Sequence, residues 1–518
     1  MRIAIIGFGP KGLYALERLL DHAAMLGPDS HVAVDLFEPH ASPAAGPNYD
    51  PAQPSYLRMN FAAEHVDMWW PRNRSVPQSE RRSLVRWSSS VGETLDGNDY
   101  PPRALVGRYL ADGFDTLLRH VPPWATLRLR KDSVERVRPS RSGWDVIVAG
   151  AVADTYDEVL VATGHVQGSP YPVERWLGPD RIPSGAVVAV RGFALTFIDV
   201  ALALTEGRGG SFTRLDHPFR LRYAPPPEPI AAILPFSRTG RPMLPKPDPA
   251  VASSIDGLGG IADAGRSELM QLEGPIELTR DVLPIIERVA NASLAASGAR
   301  DAAEAGEWLA GAASGLPGTS GLSAYGELER SLAVGSGLVS PDLSWALGQS
   351  WGSLYPAIVA RLGGDQLIER DWPAFRHLLS ELERVTFGPT PINAAKLLAL
   401  VDAGQVDLTL VAGGEPQADI VVDAVLPGPG VTADSDSVPA RLVADGHARV
   451  ARCRRGLDVD ADGCCRSTDG SPVGGLSSIG RPTEDSVIGN DTLTRMLHPI
   501  ADRWALRVVD RCRVAGAA

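Results

Sequence analysis

Between Arg2 and Leu20 the chain reads RIAII, GFGPKG, LYALERLL: an apolar run of strand character, a GxGxxG turn at Gly7, Gly9 and Gly12, and a segment of helical period. No other feature constrains the fold as tightly. The first glycine permits a sharp turn out of a strand, the second leaves bare backbone for a ligand, and the third lets the helix approach the strand closely. Leu13, Leu16 and Leu20 recur on one helical face, which predicts a helix packed on a sheet. A helix start of this kind presents N–H groups and positive dipole to a diphosphate. The turn is therefore read as a dinucleotide site in an α/β fold, with Gly7, Gly9, Pro10 and Gly12 at the phosphates. Lys11 lies inside the turn, either close to phosphate or solvated.

A second buried strand, HVAVDLFEP, ends on Glu38, whose carboxylate is placed to accept from ribose hydroxyls. The spacing from Gly7 to Glu38 exceeds the roughly 20 residues of a compact NAD unit, a weak preference for FAD. Residues 41–102 are irregular but hold Tyr56, Phe61, Trp69 and Trp70, a content of aromatics at odds with disorder. RALVGRYLADGFDTLLRH then reads as a helix, and SGWDVIVAG and DEVLVATG as strands. Near Gly185 a second strand, turn and helix begins with GAVVAVRGFALTFIDVALAL, followed by a strand in PIAAILPF. Residues 251–395 break the rhythm with Ala- and Leu-rich helical stretches, and strand-like runs resume at VDLTLVAG and ADIVVDAV.

Composition narrows the partners. Fifty Lys and Arg against 62 Asp and Glu leave a net charge of −12, which disfavours nucleic acid and anionic membrane surfaces. At 44% hydrophobic and 22% charged, the chain has the makings of folded cores. The four cysteines, Cys453, Cys464, Cys465 and Cys512, form no CxxC and no zinc-like pair of pairs; the adjacent two are read as an ordinary loop pair, and no metal is expected. The opening residues lack a signal-type apolar region, and no stretch of 18 apolar residues occurs, so a reducing cytoplasm is expected.

VLVATGHV, a buried strand running into Thr163 and Gly164, resembles the segment that closes the FAD region in flavoproteins with two dinucleotide-binding domains. GFGPKGLYALERLL, LRMNFAAEHVDMWWP, YPPRALVGRYL, FIDVALALTEGRGG, PFSRTGRPMLPKP and GGLSSIGRPTED together resemble the bacterial FAD/NAD(P)-binding family related to N-hydroxylating flavin monooxygenases. The match spans residues 1–250 and 385–500.

The resemblance implies two Rossmann-like dinucleotide-binding domains with an inserted, mainly helical domain. Residues 1–178 with 440–518 would bind FAD, 179–250 with 396–439 would bind NAD(P)H, and 251–395 would supply a substrate lid or dimer contact. Gly7, Gly9, Gly12 and Glu38 would hold the ADP part of FAD, with Asn60 and Trp69 toward the flavin and Gly480 to Asp485 returning to it. Arg58 and Arg103 are candidates for an acidic substrate or the diphosphate, and His65 for general acid/base work, so Asn60, His65 and Arg58 are the catalytic candidates. Asn490, Asp491 and Thr492 offer an N-cap for the last helix, and Trp345, Trp351 and Tyr355 are candidate pocket walls.

In the second turn only Gly192 keeps register; Ala194 and Phe197 stand at the other two glycine positions. Ser237 and Arg238 follow the next strand, where a hydroxyl and a guanidinium suit the 2′-phosphate of NADPH, with NADH left open and a surface ion pair the competing role for Arg238. The expected activity is an FAD-dependent, NADPH-consuming monooxygenase that uses O2 to hydroxylate the nitrogen of a small amine or amino acid. A flavin dehydrogenase or oxidase, and a flavin-binding protein without turnover, are the alternatives; a homo-oligomer is left open.

Overall fold

The computed structural model describes residues 1–27, 30–164, 170–299, 305–318, 320–432 and 435–516. It is a mixed α/β structure built on a mostly parallel six-stranded sheet and a parallel three-stranded sheet.

In the larger sheet the strands lie in the order Cys464–Arg466, Pro472–Ser478, Glu158–Val161, Arg2–Ile6, Val32–Phe37, Ala125–Arg130, all parallel except the first, which pairs antiparallel. The strand from Arg2 to Ile6 is thus central. Side chains alternate across it: Ile3 and Ile5 join the cluster containing the helix Pro10–Ala23, while Ala4 and Ile6 join Val137, Trp144 and Val146 of the antiparallel meander on the other face. Both faces are covered, which is why these strands read as continuous apolar runs. On the helix, Leu13, Leu16 and Leu20 are buried as their spacing predicts, and Trp504 and Val508 of the C-terminal helix Ile500–Gly516 pack in the same cluster.

The smaller sheet has the order Ala232–Phe236, Val187–Arg191, Ile420–Asp423, all parallel. Its core includes Phe197 and Val200 of the helix Leu195–Leu204, Leu328 and Leu332 of the helix Ala324–Gly335, and Leu397 and Leu398 of the helix Pro391–Asp402. A separate cluster joins the helices Leu283–Ala296, Ala305–Ala313, Leu343–Leu362 and Trp372–Thr386 through Ile286, Leu309, Trp351 and Phe375.

The irregular stretch after Ala41 is held by close packing on the helix Arg103–Arg119. A Cβ on Gly107 would fall 1.7 Å from the Tyr49 carbonyl oxygen, and one on Gly113 would fall 1.5 Å from the Met68 sulfur, so both glycines are sites where loop and helix touch. Trp69 is buried in this core, and Trp87 stacks obliquely on Tyr109 at 5.6 Å.

Two local expectations fail. VDLTLVAG forms no strand: only Val406 bridges to Ile233, because the Asp407 carboxylate accepts from both the amide and the hydroxyl of Thr409 and turns the chain. Asn490 to Thr492 do not cap the last helix, which begins at Ile500; the Thr492 hydroxyl instead accepts from the Thr494 amide. His165 and Val166 of VLVATGHV, and residues 300–304 of the long helical stretch, lie outside the described residues.

Candidate active site

The strand Arg2–Ile6 ends in Gly7, which adopts φ +89°. Its amide donates to the Phe37 carbonyl at 3.0 Å, and a Cβ there would sit 2.8 Å from the Ala162 oxygen. Gly9 is the N-cap of the helix, with Pro10 at the first helical position and no acidic residue in the first turn. A Cβ on Gly9 would meet nothing nearer than the Cα of Gly46 at 3.9 Å. Gly46, at φ +64°, faces it in turn. Gly12 is different, since a Cβ would come within 2.5 Å of the Gly7 oxygen. The three glycines thus divide the work as their spacing implies: Gly7 and Gly12 close the packing, and Gly9 with Gly46 leaves an open cradle at the helix start.

Glu38 is buried beside this turn, 4% exposed. One carboxylate oxygen accepts from the Phe8 amide at 2.9 Å and the other from the His40 amide at 3.1 Å. It fixes the turn itself, a role the sequence reading did not include, and its remaining lone pairs leave room for hydroxyl donors. Lys11 points away from solvent and donates to the Thr492 carbonyl at 2.6 Å. Burial lowers its ammonium to about 8, with Asp491 opposing and Arg495 adding to the shift. Tyr14 donates to the Leu493 carbonyl at 3.2 Å, and the Arg495 guanidinium lies 4.2 Å from the Tyr14 ring centroid. The first helix thereby clamps the segment 489–498. Within it His498, lowered to about 4 by burial and the nearby Lys11 charge, is neutral at pH 7, so its Nε2–H donates to the Gly489 carbonyl at 3.0 Å.

That clamped segment forms one wall of a cavity of about 1330 Å3. Asn60 and His65 line it from the irregular stretch, Lys246 from the strap after the second turn, Trp345 and Tyr355 from one helix, and Glu383 from another. Leu195, the first residue of the helix after the second turn, also lines it. The second turn repeats the geometry of the first. Gly192, at φ +112°, donates to the Phe236 carbonyl at 2.9 Å, and a Cβ would meet Val425 and Ala424 at 3.2–3.3 Å. Ala194 caps its helix in extended backbone at φ −107°, as Gly9 does at φ −84°. Phe197 is fully buried in the core of the smaller sheet.

The remaining predicted residues are dispersed. Asn60 donates to the Phe387 carbonyl at 3.0 Å. His65 is 56% exposed at the side chain, 3.8 Å from Glu64. Arg58 donates to the Tyr100 carbonyl at 2.8 Å. Trp69 belongs to the core, as does Trp351. Arg103 pairs with Asp199 at 2.7 Å and so ties the larger-sheet unit to the helix Leu195–Leu204. Thr163 and Gly164 flank the end of the strand Glu158–Val161. Ser237 accepts from the Gly240 amide at 3.0 Å, while Arg238 is exposed and, among the described residues, makes no ion pair. Gly480, at φ +76°, abuts the Lys11 stem, and Asp485 is committed to Arg455 at 2.7 Å.

Glu383 and Lys246 were not singled out by sequence. Burial raises Glu383 to about 8, with the charges of Asp491 and Glu484 adding and Arg455 opposing. Burial alone lowers Lys246 to about 8. Among the described residues no three His, Cys, Asp or Glu side chains group as a metal requires, and no helix is long and apolar enough to cross a membrane.

Comparison with known proteins places these observations. The chain is 27% identical over 261 residues to an L-aspartate N-monooxygenase (nitrosuccinate-forming) of Streptomyces davaonensis, covering 41% of this chain and 40% of that protein. It is 29% identical over 248 residues to the nitrosuccinic acid synthase of Aspergillus oryzae, covering 43% and 38%. The chain thus spans about two-fifths of the length of the curated relatives it matches. Against the crystal structure of OTEMO in an FAD-bound form the TM-score is 0.46 at 12% identity, covering 100% of this chain and 85% of that one. Residues 4–166 match the family model described as FAD-NAD(P)-binding.

Proposed function

We propose that the protein is an FAD-dependent, NAD(P)H-consuming monooxygenase that hydroxylates the nitrogen of a small amine or amino acid. The observation that carries this reading is the cavity's position. One wall is the segment that Lys11 of the first turn holds through Thr492, and another includes Leu195 at the mouth of the second turn. A reaction volume bounded by elements attached to both turns is what electron transfer from one dinucleotide to another requires.

In this reading the two sheets are the cores of two Rossmann-like domains. The five parallel strands of the larger, numbered in chain order, run 3-2-1-4-5, and the crevice beside the central strand is where such sheets bind dinucleotides. The residues present suit FAD. Gly9 and Gly46 leave the space that a Cβ would fill, the helix start supplies N–H groups, and Glu38 retains acceptor capacity for ribose. Gly192 and Ala194 would hold the nicotinamide coenzyme, with Ser237 and Arg238 at its 2′-phosphate.

Bound FAD supplies the redox and oxygen chemistry. The chain's own residues do the rest. Tyr355 and Trp345 give the cavity apolar walls that exclude water, and Asn60 fastens the wall at Phe387. The relatives named as L-aspartate N-monooxygenases support a nitrogen atom as the oxygen acceptor. Mass spectrometry of product formed under ¹⁸O2 tests the reading: label on nitrogen supports it, and unlabelled product removes it.

A further inference from the structure

The cavity's charges do not match a dicarboxylic substrate. Its ionic wall residues mostly pair with one another, Glu327 with Arg384 at 3.5 Å and Asp342 with Arg330 at 3.0 Å, while the exposed Glu64 lies 3.8 Å from His65. Three groups remain. Among the described residues, neither the Glu383 nor the Asp491 carboxylate has a hydrogen-bond or ion-pair partner, although both face the cavity. The third is the Lys246 ammonium, whose contacts are the Thr386 carbonyl at 3.4 Å and the Phe387 ring at 5.1 Å. Two unpartnered carboxyl groups therefore face one unpaired ammonium.

Resting on the N-oxygenation reading, we propose that Glu383 receives the substrate's amine, and that the substrate is a primary amine carrying at most one carboxylate rather than a diacid such as aspartate. Glu383 and Phe387 lie one turn apart, joined by the hydrogen bond from the Phe387 amide to the Glu383 carbonyl at 2.8 Å. Tyr355 meets Phe387 edge-on at 5.3 Å between ring centroids, and its hydroxyl feels the Glu383 charge. The Phe387 ring already carries one ammonium, that of Lys246. A carboxyl group one helical turn from one aromatic ring, with a second ring packed on the first, is a setting that holds an organic cation through charge-assisted hydrogen bonds and cation–π attraction. A second carboxylate on the ligand would approach Asp491 and Glu383, with Lys246 the one cation of the cavity wall that has no acidic partner among the described residues.

The same contact prepares the nitrogen. The ammonium gives one proton to the Glu383 carboxylate, leaving a neutral amine with a free lone pair and a neutral carboxylic acid; no electron changes hands in this step. Burial and the charges of Asp491 and Glu484 make this carboxylate a stronger proton acceptor than an exposed one, with Arg455 tempering the effect.

The test is calorimetric titration of FAD-loaded protein at pH 8, without NADPH, using putrescine, glycine and L-aspartate. Putrescine and glycine are expected to bind, with aspartate about tenfold or more weaker, and Glu383→Gln should weaken the amines by about tenfold with flavin absorbance unchanged. Glu383→Asp, which keeps the carboxylate, should recover part of the loss and serves if the Gln variant does not fold. Aspartate as the tightest ligand, no binding by either amine, or amine binding unaffected in Glu383→Gln overturns the proposal. Because no turnover is involved, these outcomes are separate from those of the ¹⁸O2 experiment.

Discussion

Gly9 and Gly46 face each other across bare backbone: a Cβ on Gly46 would lie 3.4 Å from the Cα of Gly9, and one on Gly9 would lie 3.9 Å from the Cα of Gly46. Gly9 is at φ −84°, so a side chain there would obstruct a ligand more than the fold, whereas Gly46, at φ +64°, also needs glycine for its backbone. Gly9→Ala is expected to melt within a few degrees of wild type as apoprotein yet to lose FAD affinity, with Gly9→Val losing it altogether. Gly12→Ala is expected to behave oppositely, destabilising by about 1–3 kcal/mol, since its Cβ would overlap the Gly7 oxygen at 2.5 Å. Calorimetric melting and flavin fluorescence, measured on the same samples, separate the two effects.

Arg103 and Asp199 join the two sheet-bearing units, with Tyr171 as the third member of the contact. The Asp199 side chain is 4% exposed, so Arg103→Ala leaves a buried charge short of its partner and should cost about 3 kcal/mol in urea unfolding. Asp199→Asn, which keeps hydrogen-bonding atoms, should cost less. Equal losses from the two changes would mean that the charge is unimportant there.

Glu383 gives stability a pH dependence of defined sign. Its carboxyl is raised from 4.5 to about 8, so the folded protein holds a proton that the unfolded chain releases across that window. The stability this proton confers is complete below pH 4.5 and is lost as pH rises through 8. Glu383→Gln removes the titration and should raise stability at pH 8 by on the order of 2 kcal/mol, with little change at pH 4. Denaturant midpoints of both proteins at the two pH values provide the check.

Arg238 follows the strand Ala232–Phe236 and, among the described residues, has no acidic partner to satisfy it. Arg238→Ala is expected to raise the KM for NADPH by about tenfold while leaving NADH nearly unaffected, because only NADPH carries the 2′-phosphate. Steady-state kinetics with both coenzymes distinguishes this from a general loss of coenzyme binding.

What the sequence made legible was local. Gly7, Gly9 and Gly12 report backbone constraints within a few residues, and their division of labour in the structure follows their spacing. The second turn was harder to recognise because only Gly192 survives, yet it matches the first in its hydrogen bond to the neighbouring strand and in the backbone of its helix cap. The strand expected at VDLTLVAG failed because apolar alternation does not register the competing Asp407 turn. The cavity was not legible at all. Lys246, Glu383 and Asp491 come from distant segments with no shared motif, and the burial that shifts Lys246 and Glu383 exists only once the chain is folded.

The central claim is that a flavin anchored at Gly9 and Gly46 meets a nicotinamide coenzyme held at the second turn. It is tested most directly by mixing FAD-loaded protein with NADPH in an anaerobic stopped-flow instrument. Rapid bleaching of the flavin absorbance is expected, slowed in Arg238→Ala. A flavin spectrum that stays unchanged under excess NADPH would contradict it.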